Sequence, residues 1–407
     1  MRNEELASIA QTWGTPAFVF DTQAFEARLS ACREILGGTV GLCFAMKANP
    51  FLVRAAERAG AKLEVCSPGE LAICERAGID PARIVYSGVN KEPSDIKRAI
   101  DYGAGVLTAE SLLHARYISE AAQACGKVVA VIPRLNAGSQ FGMSRTDFLW
   151  LVDHRNEFPG INIVGLHYFV GTQRGKLKHQ RRELAMLADF LDEVERDHGL
   201  RLARLEYGPG LAVPYFDGDD FSDTLAPLRE LAPDLQKIAE RVSLTIEMGR
   251  FFAAECGCYL TRAMDLKSNE GTNYAILDGG MNHLTYYGQM MGMRVPVIDN
   301  LGSCAPDAAM PAEFAELQGE AAQVQGAPAE WCLCGSLCTV NDVLVRAAHF
   351  DALKQGDVLA FRNAGAYAVT EGVYLFLSRT MPRVLLRGAD GVSLVRDFTE
   401  TSPFNGF

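Results

Sequence analysis

From about residue 40 the chain alternates short, β-rich apolar runs with longer stretches whose apolar residues recur every three or four positions. Eight of the runs have strand length and composition: 40–46, 62–65, 83–86, 105–108, 128–134, 161–169, 204–207 and 243–247. The stretches between them read as helices. The clearest is 177–198, where Leu184, Leu187, Leu191 and Val194 share one face. Another is expected to start at Pro68, because Ser67 can cap it and proline suits a first helical turn. Eight strands alternating with helices predict an α/β fold, a closed (β/α)8 barrel, over residues 25–254.

After Glu255 the pattern changes. Gly/Asn turns separate strand-length runs at 274–277, 358–361, 373–378 and 383–386, with no helical period between them. This predicts a mainly β domain over 255–407, and the early run 17–20 is expected to pair with it, so that residues 1–24 join it. The segment 297–330 is rich in Ala, Gly and Pro and has no period, which suits a cover over a site or a partner contact.

Composition narrows the function. A chain of 407 residues with 48% hydrophobic and 22% charged residues has enough apolar material for two buried cores. A net charge of −11 argues against a nucleic-acid partner but leaves room for an anionic substrate held by local cations. Residues 1–10 are polar and no apolar run reaches membrane-span length, so neither a signal peptide nor a membrane segment is expected. Eleven cysteines in a chain this long read as reduced thiols of a cytoplasmic protein. Cys256 with Cys258, and Cys332, Cys334 and Cys338, lack the two-residue spacing of a zinc knuckle, so no metal is expected.

In a parallel barrel the chemistry sits at the C-terminal ends of the strands, and the unusual residues fall there. The first strand ends in Ala45-Met46-Lys47-Ala48-Asn49, where Lys47 interrupts an apolar run. A lysine at that place either reaches solvent or is a desolvated amine able to form an imine. The sixth ends in His167-Tyr168-Phe169-Val170-Gly171-Thr172, and the seventh in Gly208-Pro209-Gly210, a turn whose backbone can approach a phosphate. The eighth ends in Glu247-Met248-Gly249-Arg250, readable alone as an internal salt bridge. Beyond the barrel lie Asp278-Gly279-Gly280-Met281-Asn282, Cys338-Thr339-Val340-Asn341-Asp342 and Asn363-Ala364-Gly365-Ala366-Tyr367.

Together and in this order, these motifs resemble the fold-type III pyridoxal-phosphate decarboxylases, the family of ornithine/arginine and diaminopimelate decarboxylases. The resemblance runs from about Thr15 to Thr399. It implies an alanine-racemase-like barrel with a C-terminal β domain, a head-to-tail homodimer with active sites at the interface, and pyridoxal 5'-phosphate as cofactor. It implies that Lys47 carries the cofactor covalently and that Glu247 keeps its pyridine nitrogen protonated. Gly208, Gly210, Gly249, Arg250 and the Tyr367 hydroxyl, with Thr172, would bind it through its phosphate. Cys338 would reach the partner's site to protonate the α-carbon, with Asp278, Thr339 and Asp342 near the substrate.

The departures concern the substrate. Phe169 stands where diaminopimelate decarboxylases carry a ring-stacking histidine, and it can stack but not hydrogen-bond. Cys338-Thr339-Val340 replaces Cys-Glu-Ser, so a glutamate that reads a distal amine is missing, and Tyr286 replaces an arginine that grips a distal carboxylate. The expectation is α-decarboxylation of an amino acid or derivative other than diaminopimelate, with a modified or carrier-attached substrate in view. A racemase would share the barrel and the lysine, but would pair the ring nitrogen with arginine rather than Glu247. A non-catalytic regulator would have lost Lys47 or Cys338.

Overall fold

The structure is a computed structural model and describes residues 1–289, 292–304 and 319–407. The run ahead of the barrel forms β1 (Ala17–Asp21). The barrel strands follow: β2 (Gly41–Ala45), β3 (Lys62–Val65), β4 (Ile84–Tyr86), β5 (Val106–Ala109), β6 (Val129–Pro133), β7 (Ile161–Ile163), β8 (Gly165–Phe169), β9 (Arg204–Gly208) and β10 (Ser243–Met248). They form one parallel sheet in the order β7-β6-β5-β4-β3-β2-β10-β9-β8.

The run expected as a single sixth strand is split at Val164. The N–H of Val164 still donates to Val131 on β6, while its carbonyl turns to accept from Ala203 and Arg204 beside β9. One further bridge, Arg134 with His167, brings β8 back to the end of β6 and nearly closes the barrel. The helix expected near 177–198 runs Lys178–His198. The helix Pro68–Ala77 starts as its sequence requires, with the Ser67 hydroxyl accepting from the Glu70 N–H at 3.1 Å.

The chain divides into two compact units. One is the barrel, Phe25–Val213 with Ser222–Phe252; the other comprises Met1–Ala24, Pro214–Phe221 and Ala253–Phe407. Pro214–Phe221 joins the second unit because Phe216 bridges Pro296, Asp217 N–H donates to Val295, and Asp219 pairs with Arg294 at 3.1 Å.

The second unit is built on β11 (Gly257–Asn269), which pairs antiparallel with β1 and with β12 (Thr272–Leu277). Next in the chain come β13 (Ile298–Asn300), β14 (Ala329–Cys334), β15 (Val343–Phe350) and β16 (Val358–Phe361). The last strands are β17 (Arg383–Gly388), parallel to β1, and β18 (Gly391–Arg396). Leu6, Ile9 and Ala10 of the N-terminal helix pack with Val19, Leu260, Val358 and Leu385, so the first residues share this unit's core.

Strands β11, β14, β15 and β18 were not legible in the sequence. Arg262, Asp265 and Lys267 interrupt β11, for instance, and only pairing on both edges makes it a strand. The strand expected at 373–378 does not form. Phe376 N–H turns back to Val373, and Leu377 and Ser378 have φ of 57° and 51°, which extended backbone excludes. Of the segment 297–330, residues 305–318 lie outside the described residues, and the rest contributes β13, a 3₁₀ turn and the start of β14. No helix among the described residues is long and apolar enough to cross a membrane.

Candidate active site

Strands β2, β10, β9 and β8 are consecutive neighbours in the barrel sheet, so their C-terminal ends deliver side chains to one rim. After β2 the chain tightens into a 3₁₀ turn, Met46–Ala48, in which Met46 and Ala48 are buried and Lys47 alone projects. Its side chain keeps 40% of its exposure, and its Nζ lies 2.6 Å from Glu64 Oε2 on β3 and 3.6 Å from Cys66 Sγ. Burial pushes the Glu64 carboxyl up, the Glu247 charge adds to this, and Lys47 pulls the other way. Lys47 thus meets a carboxyl whose ordinary acidity is weakened, and Glu247 is the acidic neighbour that adds to this.

Glu247, at the end of β10, is buried, and its Oε2 lies 2.9 Å from His167 Nε2 on β8. Burial, reinforced by the Arg134 charge, pulls the His167 pKa down to about 3, so the ring is neutral at physiological pH. Two residues further along β8, Phe169 lies against Gly208: a Cβ on that glycine would come within 2.2 Å of the Phe169 ring. The Arg134 guanidinium, paired with Glu110 at 3.1 Å, stands 5.8 Å from the Phe169 ring centre.

The loop after β9 is made of backbone. Gly210 has φ of +60°, and a Cβ there would meet the Gly171 carbonyl oxygen at 1.8 Å. Arg174 N–H donates to the Gly210 carbonyl at 2.9 Å and Gln180 Nε2 to that of Pro209 at 3.1 Å, which holds the loop open. Arg250 Nε donates to the Thr172 hydroxyl at 3.3 Å, so the turns after β8 and β10 meet beside it. One rim of one unit thus brings together Lys47, Phe169, Thr172, Gly208, Gly210, Glu247, Gly249 and Arg250.

The remaining expected residues lie in the other unit. Asp342 is buried, and its two oxygens accept from Met281 N–H at 2.7 Å and Leu337 N–H at 2.8 Å. It shapes the turn 335–342 that carries Cys338 exposed and Thr339 half-buried. The Asp278 carboxylate accepts from the Thr261 hydroxyl at 2.7 Å, from Arg262 N–H at 3.0 Å and from Thr15. Asp278 and Cys338 line an open cleft of about 460 Å³ with Ser336 and Arg379. Thr339 and Tyr367 are not part of its lining; Tyr367 has φ of +65° and its carbonyl accepts from Glu371 N–H at 2.9 Å. Tyr286 is buried with its hydroxyl spent on the Arg362 carbonyl at 2.6 Å. Cys332 and Cys334 lie 3.7 Å apart, and no group of three or more His, Cys, Asp or Glu able to hold a metal occurs among the described residues.

Sequence reasoning missed Glu64, Glu206, Lys91 and Arg134, and quoted His167 without giving it a role. Glu206, on β9, is buried, and its pKa is pushed up to about 8, first by burial and then by Glu247. Lys91 is buried beside the Thr108 hydroxyl, 3.3 Å away, and burial pulls its pKa down to about 8. The signal that singled out Lys47, a charge inside an apolar run, was present at Glu64 and Glu206 as well.

Comparison with known proteins adds to this geometry. Residues 22–254 match the model of the family "Pyridoxal-dependent decarboxylase, pyridoxal binding domain". An L-glutamyl-[BtrI acyl-carrier protein] decarboxylase of Niallia circulans is 25% identical over 415 residues, covering 96% of this chain and 93% of the relative. A diaminopimelate decarboxylase of Pseudomonas aeruginosa is 29% identical over 394 residues, covering 89% and 85%. Among solved structures, diaminopimelate decarboxylase from M. jannaschii with L-lysine superposes with a TM-score of 0.82 at 22% identity, covering 98% of this chain and 92% of that one. Lysine/ornithine decarboxylase from Vibrio vulnificus with putrescine gives 0.75, also at 22%, over 91% and 94%; both likenesses speak to the fold. With the family model covering more than half its length, and a lysine, a buried glutamate and a glycine loop on one barrel rim, the chain belongs to the pyridoxal-dependent decarboxylases.

Proposed function

We propose that this chain removes the α-carboxylate of an amino-acid derivative carried on an acyl-carrier protein; the name of the N. circulans relative gives a glutamyl-carrier substrate for that enzyme. The observation that carries the reading is the pair of contacts at the barrel rim, Lys47 with Glu64 and Glu247 with His167. The residues fit pyridoxal phosphate. A solvent-reachable amine sits beside a buried carboxyl able to take its proton, and a loop that tolerates no Cβ at Gly210 leaves backbone N–H groups for a phosphate. When bound, the cofactor supplies an electron sink for the pair left on the α-carbon as the carboxylate departs.

The chain's own groups then have these roles. Lys47 would be the covalent anchor, and Glu64 would take up the proton its amine gives up. Glu247 would keep the ring nitrogen protonated, and Phe169 would supply an apolar stacking surface. Gly208, Gly210, Gly249 and Arg250, with Thr172, would hold the phosphate. Cys338 would return a proton to the α-carbon in the site of a second copy, and Asp342 shapes the turn that presents it.

Three further features support parts of this reading. Thr339 and Val340 carry no charge, and the Tyr286 hydroxyl is occupied, so the residues that would read a free distal amine or carboxylate are absent or engaged. Val373, Leu375, Phe376 and Leu377 are each more than 40% exposed, an apolar run that suits contact with a second copy in a homodimer. None of the eleven cysteines is in a disulfide, which suits the reducing cytoplasm.

The test is an absorption spectrum of purified protein before and after borohydride, followed by peptide mapping, then carbon dioxide release. Reduction should fix the cofactor on Lys47, and a glutamyl-carrier substrate should release carbon dioxide where free glutamate and diaminopimelate do not. A colourless protein that takes up no pyridoxal phosphate would remove the enzymatic reading. Turnover of the free amino acids alone would remove the carrier.

A further inference from the structure

His167 is buried at the rim, and its backbone is fixed where the barrel closes. Its carbonyl accepts from Leu135 N–H at 3.0 Å, and it stands in register with Arg134 on one side and Glu206 on the other. One ring nitrogen, Nε2, lies 2.9 Å from Glu247 Oε2. The other, Nδ1, is buried and has no hydrogen-bond partner.

These two facts select a tautomer. A proton on Nδ1 would bury an unpaired donor and leave the Nε2 lone pair against a carboxylate. A proton on Nε2 avoids both. Besides Glu247, the charged groups around the ring are Arg134, Lys47, Glu64 and Glu110, and among them the ring stays neutral, so its one N–H is directed at Glu247.

We infer that His167 is a positioning residue for Glu247: its Nε2–H, offered from a rigid strand, fixes which way the carboxylate points and thereby how firmly Glu247 holds the proton on the cofactor's ring nitrogen. This rests on the role of Glu247 given above and adds a specific partner to it. Glu64, on β3, is a like-charged neighbour of the same carboxylate, so losing the His167 donor removes the hydrogen bond that holds Glu247 in place. A buried histidine that merely fills space would leave the cofactor's behaviour unchanged when replaced by an apolar side chain of similar volume.

Two measurements test this. The first is a nitrogen–proton correlation spectrum of the imidazoles in cofactor-free protein at neutral pH. It should show His167 neutral with its proton on Nε2, and a proton on Nδ1, or on both nitrogens, would overturn the inference. The second titrates pyridoxal phosphate into wild type, His167→Leu and His167→Gln and follows the absorption band against pH. His167→Leu should weaken cofactor binding by about 10- to 100-fold, the range for losing a hydrogen bond to a buried charge. It should also move the pH midpoint of the bound cofactor's band and lower kcat with KM unchanged. Glutamine places a donor near the Nε2 position and should restore most of the affinity and the band. If His167→Leu keeps wild-type affinity, band and kcat, the inference fails. If wild type itself takes up no cofactor, the reading of the site falls and the inference with it. Should the leucine variant not fold, the tautomer and the glutamine variant still decide.

Discussion

Glu206 provides a sharp test of how the barrel interior handles charge. It stands on β9 with Cys43 and Glu247 nearby, its Oε1 buried without a partner, and its pKa is pushed from the ordinary 4.5 up to about 8. Because the folded value lies above the unfolded one, the folded chain holds an extra proton between roughly pH 4.5 and 8, so stability falls as pH rises through that window. Each pH unit inside it costs about 1.4 kcal/mol, or about 3 kcal/mol between pH 5.5 and 8. Glu206→Gln keeps the shape and removes the titration. Urea unfolding of cofactor-free protein, followed by far-ultraviolet circular dichroism, should show the variant gaining on wild type by about that amount from pH 5.5 to 8. Lys91, which Glu206 does not perturb, is common to both proteins and cancels in the difference. Stability curves that stay parallel across the window would mean that Glu206 is ionised in the folded barrel, and the account of a dry, acid-crowded interior would be refuted.

Two further outcomes follow from the site. Gly210→Ala places a methyl group where the Gly171 carbonyl stands, at a φ of +60° that alanine disfavours, so the loop must shift. Pyridoxal phosphate affinity, read by absorbance titration, should drop at least about tenfold, as for loss of charge-assisted hydrogen bonds to the phosphate; unchanged affinity would take that loop out of the cofactor site. If Cys338 acts in the partner's site, Lys47→Ala and Cys338→Ala protomers, each inactive alone, should partly recover carbon dioxide release when mixed. One site of each mixed dimer then holds both intact residues, and no recovery in demonstrated heterodimers would end the shared-site reading.

How much was legible from the chain itself depends on whether a residue's surroundings are local. The barrel strands were readable because a strand buried on both faces must be an apolar run, and each helix after it must show a 3.6-residue period. Ser67 ahead of Pro68 marked a helix start for the same local reason, and that cap forms. The break at Val164 was invisible, because which strand receives its carbonyl is settled only when β6 and β9 arrive from distant parts of the sequence. The run 373–378 has strand composition yet turns back on itself, and β11 has charges along its length yet forms a 13-residue strand. In both, the presence or absence of an edge to pair with outweighed propensity.

The site divides in the same way. The sequence by itself determined that Lys47, the glycine turn and Glu247 stand at the ends of parallel strands, since strand order and strand ends are properties of the chain. Only the tertiary structure decided that Glu64 sits 2.6 Å from Lys47, that His167 faces Glu247, and that Glu206 is buried without a partner for one oxygen. The physical reason is that burial and the proximity of other charges set the protonation of an ionisable group, and both are created when β2, β3, β8, β9 and β10 close around one interior. A glutamate in an apolar run announces a cost; the closed barrel determines which neighbour offsets it.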